Sequence, residues 1–113
     1  MSALVLDTDN TKSVSVMKVK GRVDSESAPE LDSALTKLLT NGRNKIVLNL
    51  QNVEFMSSAG IRALVKASQA AGKSGGAVRL VAIPESVQSV LYTVGLNQML
   101  DSYVSIDEAV ASF

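Results

Sequence analysis

Apolar and polar residues follow the period of a strand over the first part of the chain. Every second position is apolar in residues 17–23, with basic residues between, which predicts a strand exposed on one side. An apolar run at residues 3–6 and a polar segment at residues 7–12 come before it. We therefore expect two strands joined by a turn, with the first antiparallel to the second.

Four later segments have apolar residues at helical spacing, which predicts four helices. The segments are expected to begin at Ser27, Ser58, Pro84 and Ser105. Glycines that can end a helix follow the first three segments, at Gly42, Gly72 and Gly95. Ser27 and Ser105 each precede a glutamate by three residues, which predicts a capping box at both helix starts.

Continuous apolar runs at residues 46–48 and 78–83 indicate strands covered on both faces, and residues 103–104 indicate a last short strand. Strands that alternate with helices imply right-handed crossovers and a mainly parallel sheet. The predicted fold is one small α/β domain over residues 1–113. It has a mixed sheet of four or five strands, the first antiparallel, and about four helices.

The composition excludes several classes of function. Eleven basic and eleven acidic residues cancel, so no general field attracts nucleic acid. Cysteine and histidine are absent, which removes disulfides and most metal sites, and no cofactor or metal is expected. The first residues lack a signal-peptide pattern, and no apolar run approaches the ~20 residues of a membrane-spanning helix. We expect a cytoplasmic protein that recognises other proteins.

Catalytic motifs are incomplete. Gly72-Lys73-Ser74 resembles the end of a phosphate-binding loop, but position 67 is alanine and lies in a predicted helix. The serines at 57 and 58 resemble a hydrolase elbow without its first glycine, and no histidine can activate them. Lys66 lies two turns beyond Ser58, too far along the helix to serve. No catalytic residue is predicted.

Two acidic pairs have ordinary structural explanations. Asp7 and Asp9 are predicted to lie in a turn, where aspartate is favoured. Asp107 and Glu108 fall in the first turn of a predicted helix, where acids complement the helix dipole. Neither pair is therefore expected to bind metal.

The segment EFMSSAGIRAL at residues 54–64 holds the strongest candidate chemistry. Ser57 and Ser58 stand where a strand passes into a helix. Ser58, as the first residue of the helix or its cap, can accept a backbone amide hydrogen bond and so cap the helix in its unmodified form. The same position suits a phosphorylated serine, because free amides and the dipole favour a phosphate. The residues alone leave both interpretations open.

At this point the chain resembles the STAS domain family, in particular stand-alone anti-sigma factor antagonists. Residues 20–24, KGRVD, are similar to the family's glycine and aspartate before its first helix. Residues 49–50 and 55–61 are similar to the motif region that typically reads M-D-S-S-G-L. Residues 90–96 and 103–109 are similar to the closing helix, Gly-Leu and final helix.

The resemblance implies a bacterial signalling protein without catalysis that controls transcription by partner switching. Unphosphorylated, it would bind an anti-sigma factor that is also a GHKL-type serine kinase and so release a sigma factor. The kinase would phosphorylate Ser58, or with weaker support Ser57, and a PP2C-type phosphatase would reverse the step. The implied partner-binding residues are Asp24, Ser57, Ser58, Ala59, Gly60, Ile61 and Arg62.

The chain departs from the family motif at two positions. Ser57 replaces the acid before the phosphoserine, and Ala59 replaces the serine after it. The implied consequences are a different cognate kinase or a second modified serine at position 57. Asp24 is expected either to lie near Ser58 or to serve only as a turn or cap acid. Alternative functions are a non-switching STAS scaffold, an accessory subunit of a signalling complex or transporter, and a ligand sensor.

Overall fold

Strands and helices alternate around one sheet in the computed structural model, which describes residues 4–11, 13–93 and 100–113. Within these ranges the strands are β1 Val5–Thr11, β2 Val14–Val23, β3 Lys45–Met56, β4 Ala77–Val81 and β5 Asp101–Tyr103. The helices are α1 Ala28–Thr40, α2 Ser58–Lys73, α3 Glu85–Thr93 and α4 Ile106–Ala111. The sheet order is β1-β2-β3-β4-β5, with β1 antiparallel to β2 and the other pairs parallel. The predicted mixed α/β fold is confirmed.

The sheet carries different packing on its two faces. Helices α1, α2 and α3 cover one face, where alternate strand residues such as Met17, Leu48 and Leu80 form the main core. On the other face α4 buries Ala109 against a smaller apolar cluster on β2, β3 and β4. Because side chains alternate along a strand, each central strand supplies residues to both clusters.

The first strand extends further than its apolar residues predicted. Residues 7–11, expected to form a turn, continue β1 and pair with β2 as far as Val14. The sheet supplies the backbone hydrogen bonds, and an edge strand tolerates polar and acidic side chains that meet water. The placement of Asp7 and Asp9 in a turn was therefore wrong. β3 is likewise longer than the predicted run at residues 46–48, because its second half remains paired with β2.

Helix ends agree with the sequence in most places. Gly42 follows α1 with a φ of +79°, which glycine adopts without strain, and the Ser105 hydroxyl accepts a hydrogen bond from the Glu108 amide at 3.1 Å. Ser27 occupies the N-cap position of α1, but its side chain makes no cap, so the predicted capping box there was wrong. The predicted helix stop at Gly95 lies outside the described residues. No helix in the described ranges is long and apolar enough to cross a membrane.

Candidate functional site

The candidate site lies where the parallel strands β2 and β3 end side by side. Val23 is the register partner of Met56, the last residue of β3. Asp24 directly follows β2 and Ser57 directly follows β3, so the sheet brings these two residues to one edge. The Ser57 amide donates to the Val23 carbonyl oxygen at 2.7 Å, which ties the start of α2 to the end of β2.

Ser57, rather than Ser58, caps helix α2. Ser57 has an extended backbone, with φ of −79° and ψ of 171°, and its side chain accepts a hydrogen bond from the Gly60 amide at 3.4 Å. Ser58 is the first helical residue. The expectation that the unmodified Ser58 caps the helix was therefore wrong. Serine and aspartate are both good N-cap residues, so the serine in place of the motif acid preserves a cap while removing a charge.

The Ser58 side chain points to solvent. Ser58 is exposed, and among the described residues its hydroxyl has no hydrogen-bond partner. Lys66 does not reach it, because the Lys66 ammonium pairs with Asp32 on α1 at 3.2 Å. The hydroxyl is therefore accessible at the helix start, and no basic side chain among the described residues forms a hydrogen bond with it.

Gly60 allows α2 to begin directly against the end of β2. A Cβ atom at this position would lie 2.6 Å from Val23 Cγ1 and 2.8 Å from Met56 Cγ, closer than van der Waals contact permits. A larger residue would push the helix start away from the sheet edge. Gly60 is buried and contributes packing rather than an exposed side chain.

Asp24 organises the turn between β2 and α1. Its Oδ1 atom accepts hydrogen bonds from the backbone amides of Glu26 and Ser27, each at 3.0 Å, and from the Ser27 hydroxyl at 3.1 Å. The hydrogen bond from the Ser27 amide is the largest of the influences that lower the pKa of the Asp24 carboxyl. The Ser27 hydroxyl donates to the Arg22 carbonyl oxygen at 2.7 Å and accepts from the Asp24 amide at 2.9 Å, so it is engaged by the end of β2 and does not cap α1. Asp24 is thus a turn acid that also lies at the same sheet edge as Ser57.

The remaining sequence-predicted residues divide between core and surface. Ile61 is 2% exposed and packs in the main core, so its side chain is not part of the surface in this structure. Arg62 is exposed and Ala59 is half-buried. Of the predicted set, Ser58 and Arg62 are exposed beside the sheet edge, and Asp24, Ser57 and Ala59 are half-buried there.

A groove between α1 and α2 continues from this surface. It has a volume of about 270 Å³. Its lining residues are Ser25, Ala28, Pro29, Asp32, Ala59, Arg62, Ala63 and Lys66. The α1 residues were not identified from the sequence, because only tertiary packing places them beside α2. A possible signal was the opposite charge of Asp32 and Lys66 on the polar faces of the two helices.

The described residues contain no group of three or more histidine, cysteine, aspartate or glutamate side chains that could hold a metal ion. The site consists instead of an accessible hydroxyl, a helix start and a shallow groove. Such an arrangement is suited to modification of Ser58 and to contact with another macromolecule.

Comparison with known proteins identifies the family. The STAS domain family matches residues 5–109, and the chain belongs to it. The anti-sigma-B factor antagonist of Staphylococcus aureus is 26% identical over 84 residues, which are 74% of this chain and 78% of that protein.

Solved structures agree with this assignment. A candidate anti-sigma factor antagonist from Thermotoga maritima superposes with a TM-score of 0.88 at 26% identity, covering 95% of this chain and 92% of that one. An anti-sigma factor antagonist from Mycobacterium paratuberculosis gives a TM-score of 0.86 at 26% identity, with 96% and 92% covered. These two superpositions extend over nearly the whole chain.

Proposed function

We propose that this chain is an anti-sigma factor antagonist whose binding is switched by phosphorylation of Ser58. It acts by binding, without catalysis of its own. The unphosphorylated form binds an anti-sigma factor that is also a GHKL-type serine kinase, and a PP2C-type phosphatase restores that form. The names of the similar proteins support the antagonist role, and the resemblance at residues 55–61 supports the kinase and phosphatase. Both partners would be met in the cytoplasm.

The observation that carries the proposal is the different hydrogen bonding of the two serine hydroxyls. The Ser57 hydroxyl is engaged as the helix cap, whereas the exposed Ser58 hydroxyl has no partner among the described residues. Phosphorylation of Ser58 therefore removes no stabilising hydrogen bond in this part of the structure. The added phosphate carries roughly −1.5 to −2 charges and lies at the favourable end of the α2 dipole.

The same modification would block a partner that packs on the surrounding surface. Ala59 is small and Arg62 is exposed on the next turn, and both line the groove beside Ser58. A partner that approaches this closely would meet a bulky dianion. A loss of about 3 kcal/mol in binding free energy raises the dissociation constant more than a hundredfold, which is enough to release a micromolar partner.

Ser57 in place of the motif acid supports a change in kinase preference rather than loss of the switch. The cap is kept, so the helix start that presents Ser58 is kept too. The serine at position 57 removes one negative charge beside the phosphoacceptor Ser58. Ser57 has weaker support as an acceptor, because it is half-buried and its hydroxyl already accepts from the Gly60 amide.

Phosphorylation is tested with the purified anti-sigma factor kinase, ATP and mass spectrometry of the intact chain. Wild type should gain one phosphate, and fragmentation should place it on Ser58. Ser58→Ala should gain none. Ser57→Ala should still be modified, because the Ser58 hydroxyl that accepts the phosphate is intact. Full modification of the Ser58→Ala variant would overturn the assignment.

Binding is tested by calorimetry with the same partner and a matched pair of variants. Ser58→Asp and Ser57→Asp add the same charge one residue apart, but only the second places it at the cap, where aspartate is favoured. Ser58→Asp should bind much more weakly than wild type, and Ser57→Asp should lose much less affinity than Ser58→Asp. Equal affinity of wild type and Ser58→Asp would instead favour a non-switching STAS scaffold or accessory subunit.

A further inference from the structure

Part of the sheet face that carries α4 is left open along β1 and β2. Asp7 lies opposite Lys18 and Asp9 opposite Val16 in the β1–β2 register, so their side chains share this face. Val16 packs beside α4, which fixes which face it is. Beyond Val16, the β2 residues on this face, at positions 18, 20 and 22, are exposed.

Charge is segregated along this open face. The acidic end carries Asp7 and Asp9 on β1 and Asp107 on α4, which line a groove of about 740 Å³ between the sheet and α4. The floor of that groove is apolar and is formed by Val14, Val16, Ile106 and Val110. Lys18, which lies opposite Asp7, also lines this groove and leaves it with an excess of acidic side chains. The other end carries two exposed basic residues of β2, Lys20 and Arg22.

The basic end also exposes apolar groups. Val5 lies opposite Lys20 and is 56% exposed. Phe55 lies opposite Arg22 and is 38% exposed, with the Arg22 guanidinium 4.7 Å from the ring centre. One end of the face therefore combines exposed apolar side chains with positive charge, and the other combines an apolar groove with negative charge.

We infer that this face is an interface between two copies of the chain. A two-fold axis that crosses β2 at right angles, in the plane between the copies, sets the two β2 strands antiparallel across the interface. The basic end of each copy then meets the acidic end of the other, and Val5 and Phe55 approach the partner's apolar groove. Such a contact is isologous, so the same attraction occurs twice and the assembly closes as a dimer.

Charge selects this arrangement over the alternative. An axis parallel to β2 would keep the two β2 strands parallel, so that basic end meets basic end and acidic end meets acidic end, which places like charges together. The dimer is stabilised by electrostatics between exposed groups and so weakens as salt screens them. This inference does not rest on phosphorylation of Ser58 or on the proposed partner.

Sedimentation velocity on the full chain tests the inference. Wild type should form a dimer at low ionic strength that dissociates as salt is added. Lys20→Glu/Arg22→Glu makes both ends acidic, and Asp7→Lys/Asp9→Lys makes both ends basic. Each variant alone should raise the dissociation constant by about tenfold or more, because like charges now meet twice.

The decisive measurement is the mixture of the two variants. The net acidic face of one variant and the net basic face of the other are complementary at both ends, so equal amounts should form a heterodimer more tightly than either variant dimerises alone. Lys37→Glu/Lys73→Glu changes the same charge on the opposite side of the molecule and should leave the wild-type dimer intact. Far-UV circular dichroism should show that every variant is folded.

Two results would overturn the inference. One is a wild-type chain that remains monomeric at low ionic strength up to about millimolar concentration, the weak end of specific association. The other is a dimer that both charge reversals leave unchanged, which would place the interface elsewhere.

Discussion

The Ser57 amide donates a hydrogen bond of 2.7 Å to the Val23 carbonyl oxygen, across the ends of two parallel strands. This bond continues the pairing of Val23 with Met56 by one step beyond the sheet. It fixes the residue that caps α2 relative to Asp24, which follows Val23 in the chain. The position of Ser58 at the surface is therefore set by the sheet as well as by the helix.

The cap at Ser57 should contribute measurably to stability. Replacement by alanine leaves the Gly60 amide without its side-chain acceptor, so Ser57→Ala should lower the free energy of unfolding by about 0.5–1 kcal/mol, the lower part of the usual range for a 3.4 Å contact. Urea denaturation measures the change. Ser57→Asp should retain wild-type stability, and Ser58→Ala should lie within about 0.5 kcal/mol of it. A larger loss of stability for Ser58→Ala than for Ser57→Ala would show that Ser58, and not Ser57, caps α2.

Two glycines of α2 should respond oppositely to the same substitution. Gly60→Ala forces a methyl group against Val23 and Met56 and should destabilise the protein by about 1–3 kcal/mol. Gly72 has no atom within 4 Å of the position a Cβ would take, so Gly72→Ala should stabilise the helix by about 0.5–1 kcal/mol. Thermal unfolding of the two variants gives the comparison. Equal effects would show that α2 does not pack on the end of β2 as described.

Asp24 should make stability depend on pH in the acid range. Hydrogen bonds from the turn lower the pKa of its carboxyl below the ordinary value of 3.8. The unfolded chain therefore takes up the proton more readily than the folded chain. The contribution of the carboxylate is fully present above about pH 4 and is lost as the pH falls through the folded pKa.

Carbon-detected NMR titration of the Asp24 carboxyl is the direct measurement, and its midpoint should lie below 3.8. The Asp24→Ala variant removes the acceptor for the Glu26 and Ser27 amides and should lose this part of the pH dependence. A midpoint at or above the ordinary value would mean that the turn does not hold the carboxylate.

Local signals account for the part of the site that the sequence predicted. The passage from β3 to α2 was placed correctly because the change in apolar period and the small residues at its start all fall within residues 54–64. The resemblance at residues 55–61 then selected Ser58. The antiparallel first strand and the parallel remainder followed from connection lengths, which depend on neighbouring elements only.

The errors at the two helix caps arose where a side chain had a choice of nearby partners. Ser27 has the spacing of a capping box, yet its hydroxyl is taken by the Arg22 carbonyl and the turn around Asp24. Ser57 and Ser58 cannot be separated by propensity, because both are serines and a cap can shift by one residue. The bond from the Ser57 amide to Val23 decides between them, and it joins segments far apart in the sequence. The groove between α1 and α2 depends on the same kind of long-range packing.

Arg62 should affect binding without affecting folding. Its side chain is exposed, lines the groove beside Ala59, and lies one helical turn beyond Ser58. Arginine is frequent among residues that dominate protein interfaces, so Arg62→Ala should weaken binding of the unphosphorylated chain to the anti-sigma factor about tenfold. Its free energy of unfolding should stay within about 0.5 kcal/mol of wild type. Lys73→Ala, at the far end of α2, is the matched control and should leave affinity unchanged. Calorimetry that finds the two variants equal would move the partner-binding surface away from this groove, even if Ser58 is phosphorylated as proposed.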